Sequence, residues 1–260
     1  METEPFFTLE GDLYTPTPAC RGPWDPKSLH GRVIVGLLAH AIERDYGEPD
    51  FTPARLTVDM YKLPGFDTIE VTTKLVRQGG RIKVVDAEFL SGGVSMGRAT
   101  SQLLRRTENP EGKIWSPPNW DAPSPDSIEP PADRARAMGG MWAMRPITGA
   151  MGTLGQKRTW MREIRELVGG IAQTPFTRVA LAADFASPFA NSGEGGLAYI
   201  NSDATTYLHR QMQGEWLGLE VVNHQATDGV AIGECFLYDE AGPLGSATVC
   251  ALAQRRMPRP

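Results

Sequence analysis

The sequence has few cysteines, no excess of positive charge and no long apolar run, and each shortage excludes a class of protein. The three cysteines, Cys20, Cys235 and Cys250, are an odd number without the paired spacing of metal ligands, so neither a disulfide framework nor a zinc site is expected. We expect them to be small buried hydrophobic residues. A net charge of −5 provides no broad basic surface for binding nucleic acid. No metal or redox cofactor is implied.

Two further shortages concern membranes and export. No apolar stretch approaches the roughly 18 residues that a membrane-spanning helix needs. The N-terminus reads Met-Glu-Thr-Glu-Pro-Phe-Phe, without a basic segment followed by an apolar one. We therefore expect a cytoplasmic protein that has no contact with a membrane.

The chain contains two related segments. One apolar run opens at Arg32 with Arg-Val-Ile-Val-Gly-Leu-Leu and another at Arg178 with Arg-Val-Ala-Leu-Ala-Ala-Asp, an offset of 178 − 32 = 146 residues. Strand-like segments that share the pattern Gly-x-Ala-Thr begin at Gly97 and Gly245, an offset of 245 − 97 = 148 residues. These nearly equal offsets predict a duplicated domain.

The first copy reads as one helix followed by four strands. The helix is predicted over residues 28–46, with Ser28 as N-cap and Gly47 just beyond its end. Its middle is apolar on almost every side, so it should be enclosed. Runs of Val, Thr and aromatic residues between Pro-Gly and Gly-Gly turns predict antiparallel strands that wrap this helix. The strands are expected at residues 55–63, 68–77, 82–90 and 95–106, with an extra strand within 6–14.

The second copy repeats this order after a proline-rich segment. Residues 116–131 contain six prolines, which predicts an extended linker that crosses the surface. Thr174 is a suitable N-cap for a second helix over residues 175–189, with Pro175 as its first residue. The predicted strands of this copy are 158–166, 197–210, 215–224, 230–238 and 244–255. We thus expect an N-terminal unit at 1–115, a linker at 116–140 and a C-terminal unit at 141–260.

Several segments together resemble one family. They are Leu-Ala-Ala-Asp184-Phe in the second helix, the stretch from Asp203 to Arg210 followed by Glu215-Trp-Leu, and Gly245-Ser-Ala-Thr-Val-Cys250 in the last strand. With Leu56 to Pro64 in the first copy, they resemble the bacterial acyl-CoA thioesterase II family over nearly the whole chain. The resemblance implies an α+β double hotdog fold, in which two tandem units each have a long central helix wrapped by a curved antiparallel sheet.

The resemblance also implies a catalytic set. The family has an aspartate on the second helix, a threonine just before the Asp-x-x-x-x-x-His-Arg stretch, and a glutamine in the last strand. Asp184 matches the aspartate, Asn201 beside Ser202 stands where the threonine is expected, and Cys250 replaces the glutamine. Because only one of the three residue types is retained, the resemblance implies slow hydrolysis of an acyl thioester to free acid and CoA.

The residues around Asp184 independently favour it as the catalytic base. It is the only acid between Gln173 and Asn191, and its immediate neighbours are apolar. Burial there would raise its pKa and make it a base near neutral pH. The alternative is an aspartate at an exposed helix edge. Leu38 argues against this alternative, because it occupies the position equivalent to Asp184 in the first copy and should face the core.

The other candidates each have a structural alternative. Asn201 or Ser202 could bind the carboxylate or hold a water against the thioester carbonyl, but polar pairs are also common at the start of a strand. Cys250 is a candidate catalytic residue through the family pattern, whereas its apolar neighbours favour a packed strand residue. As a nucleophile it would need His224 or His209 as base, and no spacing signature supports that pairing.

Helix starts and arginine pairs are the candidates for substrate binding. His30 and Gly31 begin the first helix, where free N–H groups and the positive end of the helix dipole suit a thioester oxygen. The start of the second helix, near Phe176 and Thr177, also offers free N–H groups and the positive end of a helix dipole. The pairs Arg105-Arg106 and Arg255-Arg256 either bind CoA phosphates or form solvated charge clusters. The pair His209-Arg210 reads as structural or rim-forming.

These observations predict a protein that binds an acyl thioester, most simply acyl-CoA, with the acyl chain between helix and sheet. Asp184 would activate a water that Asn201 positions. One alternative is a non-catalytic acyl-binding protein with a degenerate site. Another is a hydratase or dehydratase, which would need a histidine near the aspartate, and the second helix contains none. A homodimer is a further expectation from the resemblance.

Overall fold

A helix of sixteen residues, α1 (Gly31–Tyr46), lies at the centre of the first half of the chain, and ten of its residues are buried. The computed structural model describes residues 3–132 and 141–254. The N-cap is His30 and not Ser28, because Nδ1 of His30 accepts the N–H of Arg32 at 3.2 Å. Gly47 follows the last turn as predicted, and its N–H donates to the carbonyl of Glu43.

The strands of the first half lie close to their predicted positions. The predicted strand within residues 6–14 is a hairpin of two short strands. The strands of this half are β1 (Phe7–Glu10), β2 (Leu13–Pro16), β3 (Phe51–Met60), β4 (Ile69–Gln78), β5 (Ile82–Ser91) and β6 (Val94–Arg105). Helix α1 packs on β4, β5 and β6, which explains why its residues are apolar on nearly every side.

The second helix is interrupted, which corrects the prediction of one long helix over residues 175–189. It consists of α2 (Pro175–Ala183) and α3 (Ala186–Asn191), with Asp184 at the break. Pro188 explains the interruption, because a proline has no N–H and its ring clashes with the carbonyl four residues earlier, that of Asp184. This carbonyl accepts the N–H of Ser187 instead, at 3.1 Å. In the described part of the chain, the first unit therefore has one long helix and the second unit has the interrupted pair α2 and α3.

The start of α2 agrees with the prediction. Thr174 is the N-cap and accepts the N–H of Thr177 at 3.1 Å, and Pro175 is the first helical residue. Helices α1 and α2 pack against each other. The hydroxyl of Thr174 donates to the carboxylate of Glu43, near the end of α1. The start of α2 therefore lies at the end of α1.

The second half has more strands than predicted. A strand before residue 158 was not predicted, and the predicted strand 197–210 is divided at Ser202. The strands are β7 (Trp142–Thr148), β8 (Arg158–Glu163), β9 (Ser192–Gly193), β10 (Gly196–Leu197), β11 (Tyr199–Asn201), β12 (Asp203–Leu208), β13 (Leu217–Thr227), β14 (Val230–Asp239) and β15 (Gly242–Ala253).

The two halves share one antiparallel sheet of thirteen strands. Its order is β1-β2-β4-β5-β6-β3-β12-β15-β14-β13-β8-β7, with β11 also paired to β15, while β9 and β10 form a separate hairpin. The halves meet at β3 and β12, where Thr57 stands opposite Thr205 and their hydroxyls are 3.3 Å apart. These residues are 205 − 57 = 148 positions apart, the same offset as Gly97 and Gly245. Corresponding strands of the two copies thus pair at this join.

The proline-rich segment runs without strands and is attached to the second half. Trp120 stacks on Tyr238 with ring centroids 4.4 Å apart, and the indole N–H of Trp160 donates to the carbonyl of Pro123 at 2.9 Å. Residues 133–140 of the predicted linker lie outside the described residues. Within the described part of the chain, no helix is both long enough and apolar enough to cross a membrane.

Candidate active site

Asp184 and Asn201 are in direct contact. The side-chain N–H of Asn201 donates to Oδ1 of Asp184 at 2.9 Å and to the backbone carbonyl of Asp203 at 3.0 Å. Asp184 is 4 % exposed, because the break between α2 and α3 turns it toward the interior and not toward solvent. The alternative of an aspartate at an exposed helix edge is therefore wrong.

The carboxylate of Asp184 lies against the start of α1. A β-carbon on Gly31 would be 2.9 Å from Oδ1 and 3.0 Å from Oδ2, so only glycine leaves room for the carboxylate. Among the described residues, the N–H of Gly31 has no hydrogen-bond partner, whereas that of Arg32 is satisfied by His30. The first helix thus presents one free backbone donor and its positive dipole end beside the carboxylate.

His30 is a titratable side chain close to Asp184. Its Nδ1 is 3.5 Å from Oδ2 of Asp184 and 3.2 Å from the backbone N of Arg32. A neutral ring with its proton on Nε2 accepts the Arg32 N–H, whereas a ring protonated on Nδ1 can donate to the carboxylate. The absence of histidine from the second helix therefore does not leave Asp184 without one, because the first helix supplies it.

The pKa of Asp184 corrects the sequence prediction. Burial alone raises this pKa, but the hydrogen bond and charge of His30, the hydrogen bond from Asn201 and the charge of Arg32 outweigh burial. The net result is a pKa below the ordinary value of a carboxyl group. Asp184 is thus an anion throughout the neutral range, held by the groups around it.

A buried ion pair supports this arrangement. Arg32, 1 % exposed, binds Glu163 on β8 at 3.1 Å and donates twice to the carbonyl of Met141. Its guanidinium also stacks on the ring of Trp142, 4.0 Å from the centroid. Burial lowers the pKa of Arg32 to about 10 and raises that of Glu163. The pair fixes the first turn of α1 against the second unit.

A cavity of about 380 Å³ opens beside Asp184. His30, Gly31, Asn201 and Ser202 line it with Asp184, so these five predicted site residues lie together. Most of its other lining is apolar and includes Ile34, Met60, Leu63, Met151, Leu197 and Leu252. The cavity combines one polar corner with an apolar wall, as expected for a ligand with a reactive head and an apolar chain.

Ser187 is a lining residue that the sequence analysis missed. It is 2 % exposed, borders the cavity and follows Asp184 by three positions in the broken helix. No described residue forms a hydrogen bond with its hydroxyl, which leaves this group available to a ligand or water. The sequence pattern that could have revealed Ser187 is the spacing Asp-x-x-Ser, because side chains three positions apart lie on the same side of a helix.

Cys250 does not border this cavity, contrary to prediction. Its side chain is exposed, whereas its strand neighbours Val249 and Ala251 are buried, because successive residues of a strand face opposite sides of the sheet. The expectation that all three cysteines are buried fails for the same reason, although Cys20 and Cys235 are buried. The backbone N–H of Cys250 donates to Asp203 at 2.5 Å, so its contribution is structural.

The histidines proposed as bases for Cys250 have other partners. His224 has Nδ1 2.9 Å from Oδ1 of Asn191, and His209 has Nε2 2.9 Å from the carbonyl of Pro243. Next to His209, Arg210 forms a bidentate ion pair with Asp239, at 2.5 and 2.7 Å. The His209-Arg210 pair is thus structural, as the sequence suggested.

The remaining candidates for substrate binding lie elsewhere. Arg105 donates to the carbonyl of Gly80 at 2.6 Å, and Arg106 donates to that of Pro49, so both bind loops of their own unit. Neither lines the cavity at Asp184. Phe176 and Thr177 lie at the start of α2 and also do not line it. The pair Arg255-Arg256 lies outside the described residues.

Models of protein families match both halves of the chain. The family model for the acyl-CoA thioesterase N-terminal domain matches residues 20–104, and the model for the acyl-CoA thioesterase C-terminal domain matches residues 116–249. The chain belongs to the acyl-CoA thioesterase family. A comparison with curated protein sequences gives no match.

Solved structures agree on the fold of this thioesterase family member. A putative thioesterase from Novosphingobium aromaticivorans is 19% identical, with 97% of this chain and 99% of that chain covered and a TM-score of 0.72. The acyl-CoA thioesterase II TesB2 from Mycobacterium marinum is 15% identical, with 97% and 96% covered and a TM-score of 0.66. A protein of unknown function with a hot dog fold from Alicyclobacillus acidocaldarius is 13% identical, with 96% of both chains covered and a TM-score of 0.74. The α+β double hotdog fold is thereby confirmed.

Proposed function

We propose that this protein hydrolyses an acyl thioester, most simply acyl-CoA, and that Asp184 is the general base. The observation that carries the proposal is the hydrogen bond of 2.9 Å between Asn201 and Asp184 at the start of α1, inside the apolar cavity. Family membership supports the substrate class.

The water is activated by Asp184 and oriented by its neighbours. Both side-chain N–H groups of Asn201 are engaged, so its carbonyl oxygen remains as an acceptor for the water. The free hydroxyl of Ser187 is a second acceptor or donor at the same cavity. Asp184 then takes a proton as the water oxygen attacks the thioester carbon.

The oxyanion is stabilised at the start of α1. The N–H of Gly31 and the positive end of the helix dipole act on the thioester oxygen, which becomes negatively charged as water attacks. Collapse of this intermediate expels the thiolate, which takes up the proton held by Asp184 and leaves as the thiol, and the acyl group leaves as the free acid. The acyl chain lies along the apolar wall that includes Ile34 and Leu197.

Slow turnover follows from the composition of this site. The water has one carboxylate, the Asn201 amide and the Ser187 hydroxyl, whereas the glutamine of the family pattern is replaced by Cys250, which does not border the cavity. Each positioning contribution is worth on the order of 10² to 10⁴ in rate, so its partial loss slows hydrolysis without abolishing it. A protein that binds acyl-CoA with no turnover above background would instead support the non-catalytic alternative.

A second candidate function is hydration of an enoyl thioester, favoured by the 3.5 Å approach of His30 to Asp184. Two adjacent titratable groups could deliver a hydroxide equivalent and a proton to a carbon–carbon double bond. This reaction consumes an enoyl-CoA without cleaving the thioester, so the two functions give different products.

The deciding experiment is turnover of acyl-CoAs from short to long chain, with trans-2-enoyl-CoAs in parallel. Thioester cleavage should be followed by thioester absorbance and product chromatography, because the exposed Cys250 would react with a thiol reagent. We expect free acid and CoA from wild type and none above background from Asp184→Asn. Unchanged hydrolysis by Asp184→Asn would rule out the mechanism, and a hydroxyacyl-CoA product would favour the hydratase.

A further inference from the structure

A second cavity, of about 400 Å³, lies next to the cavity at Asp184. In the segment of α3, Pro188 lines the first cavity and Ala190 lines the second. Where β10 leads into β11, Leu197 lines the first cavity and Ala198 lines the second. The second cavity therefore adjoins the apolar wall that is proposed to hold the acyl chain.

The loop between β7 and β8 lies between the two cavities. Met151 lines the first cavity and Thr153 lines the second. Gly152, between them, has no side chain, and its N–H donates to the hydroxyl of Ser192 at 3.3 Å. The divider at this point is thus a backbone segment that a long hydrogen bond holds to β9.

The polar groups of the second cavity bind one another. Nζ of Lys157 donates to the carbonyls of Phe189 at 2.9 Å and Ser192 at 2.5 Å, and to the hydroxyl of Ser192 at 3.4 Å. The three N–H donors of this ammonium group are therefore engaged. His224 has Nδ1 2.9 Å from Oδ1 of Asn191, and no described residue that lines this cavity is an aspartate or a glutamate. The cavity thus suits an apolar occupant and not a charged one.

Small and apolar residues form much of the remaining lining. Leu154, Val221 and Tyr199 line the cavity together with several glycines. A β-carbon on Gly193 would meet nothing within 4 Å, so this side of the cavity has free space. Leu154 is 73 % exposed, which places a large apolar side chain at the rim of that space. Contact with an apolar ligand would remove this surface from water, which is favourable.

We propose that the second cavity holds the distal carbons of a long acyl chain whose thioester group lies at Asp184. The proximal carbons contact the first cavity at Leu197, and the distal carbons pass the divider at Gly152 and contact Leu154 and Val221. The site therefore selects long-chain over short-chain acyl thioesters. This inference rests on the proposed function, because it takes the thioester group to lie at Asp184.

The test compares hexanoyl-CoA with tetradecanoyl-CoA, below the concentration at which the longer thioester forms micelles. For the full chain we expect kcat/KM to be on the order of tenfold higher with tetradecanoyl-CoA, because additional CH₂ groups are buried. Ala198→Leu narrows the second cavity and should lower the ratio of the two kcat/KM values roughly fivefold. Ala241→Leu is the matched control, at an exposed turn between β14 and β15 outside both cavities, and should keep the wild-type ratio.

Binding separates this inference from the reaction. Calorimetric titration of Asp184→Asn with the two thioesters measures affinity, and we expect tetradecanoyl-CoA to bind on the order of tenfold more tightly. Adding Ala198→Leu to this variant should remove most of that preference. If the wild type hydrolyses neither thioester but this binding pattern is found, the proposed hydrolysis fails and the role of the second cavity stands.

Equal affinity for the two thioesters, or a preference that Ala198→Leu leaves unchanged, would overturn the proposal. Leu154→Ser, at the exposed rim, provides the same test if Ala198→Leu does not fold. It should reduce the preference for tetradecanoyl-CoA about threefold, because a polar side chain replaces the apolar contact. An unchanged preference in Leu154→Ser would then count against the second cavity.

Discussion

Gly31 and Asp184 occupy adjoining space at the point where the two units meet. The carboxylate lies where a side chain of residue 31 would begin, 2.9 Å from the ideal β-carbon position. The first residue of α1 therefore determines how closely the proposed base approaches the free N–H of that helix. Neither unit alone contains both parts of this arrangement.

Gly31→Ala should lower the rate of thioester hydrolysis by on the order of 10²-fold, because the added methyl displaces the carboxylate by a large fraction of an ångström. The matched control is Gly80→Ala, since a β-carbon on Gly80 meets nothing within 4 Å. Steady-state kinetics and thermal unfolding should be measured on both variants. Full activity in a folded Gly31→Ala protein would contradict the proposed role of this contact.

The pKa of the Asp184 carboxyl group should lie below the ordinary value for aspartate, because the hydrogen bonds and charges of His30, Asn201 and Arg32 outweigh burial. Because its pKa is lowered in the folded protein, its contribution to stability is present above that ordinary value and is lost as pH falls through the folded pKa. Carbon-13 NMR of the carboxyl group, with Asp184→Asn to assign the signal, measures this directly. A titration midpoint above pH 5 would mean that burial, which raises the pKa of Asp184, outweighs the neighbouring hydrogen bonds and charges that lower it.

Glu163→Gln should reduce the free energy of unfolding by about 3 kcal/mol, because it leaves the Arg32 charge buried without its counter-ion. The double variant Arg32→Met with Glu163→Met should be more stable than Glu163→Gln, since no charge remains buried. Urea unfolding measures both. The exposed pair Arg98–Asp59 supplies the control, and Asp59→Asn should have no measurable effect. Equal losses of unfolding free energy in Glu163→Gln and Asp59→Asn would contradict this explanation.

Ser187→Ala should lower kcat about tenfold while leaving the thermal stability near that of wild type. A single hydrogen bond to the attacking water is worth on the order of 1 kcal/mol, close to the 1.4 kcal/mol that corresponds to a factor of ten in rate. Ser116→Ala, at an exposed linker position, is the matched control. An unchanged kcat would remove Ser187 from the proposed site.

Cys250→Gln should leave hydrolysis within about twofold of wild type, because this side chain points away from the cavity and the change of a remote exposed residue alters little. The resemblance implies the opposite, because a glutamine at this position would restore an orienting group if Cys250 occupied the place of the family's glutamine. Cys250→Ser serves as a control for removal of the thiol. A clear increase in kcat with glutamine but not with serine would return position 250 to the active site.

Local patterns in the sequence were sufficient for much of the fold. Apolar periodicity, turn residues and the two offsets located α1, most of the long strands and the duplication, because these features depend on neighbours in the chain. Thr174 was found as a cap for the same reason. The break at Asp184 was also encoded locally, in Pro188, but the apolar run around it obscured that signal.

What the tertiary structure alone decided is the environment of Asp184. The resemblance identified Asp184 and Asn201, but the approach of His30 and Gly31 depends on helices from separate units packing together. Gly31 and Asp184 are 184 − 31 = 153 positions apart in the chain. That packing reversed the expected direction of the pKa shift, because the hydrogen bonds and charges it supplies outweigh burial. The outward orientation of Cys250 likewise depends on which face of β15 meets the core, and a strand's sequence position does not fix this until the register of the whole sheet is known.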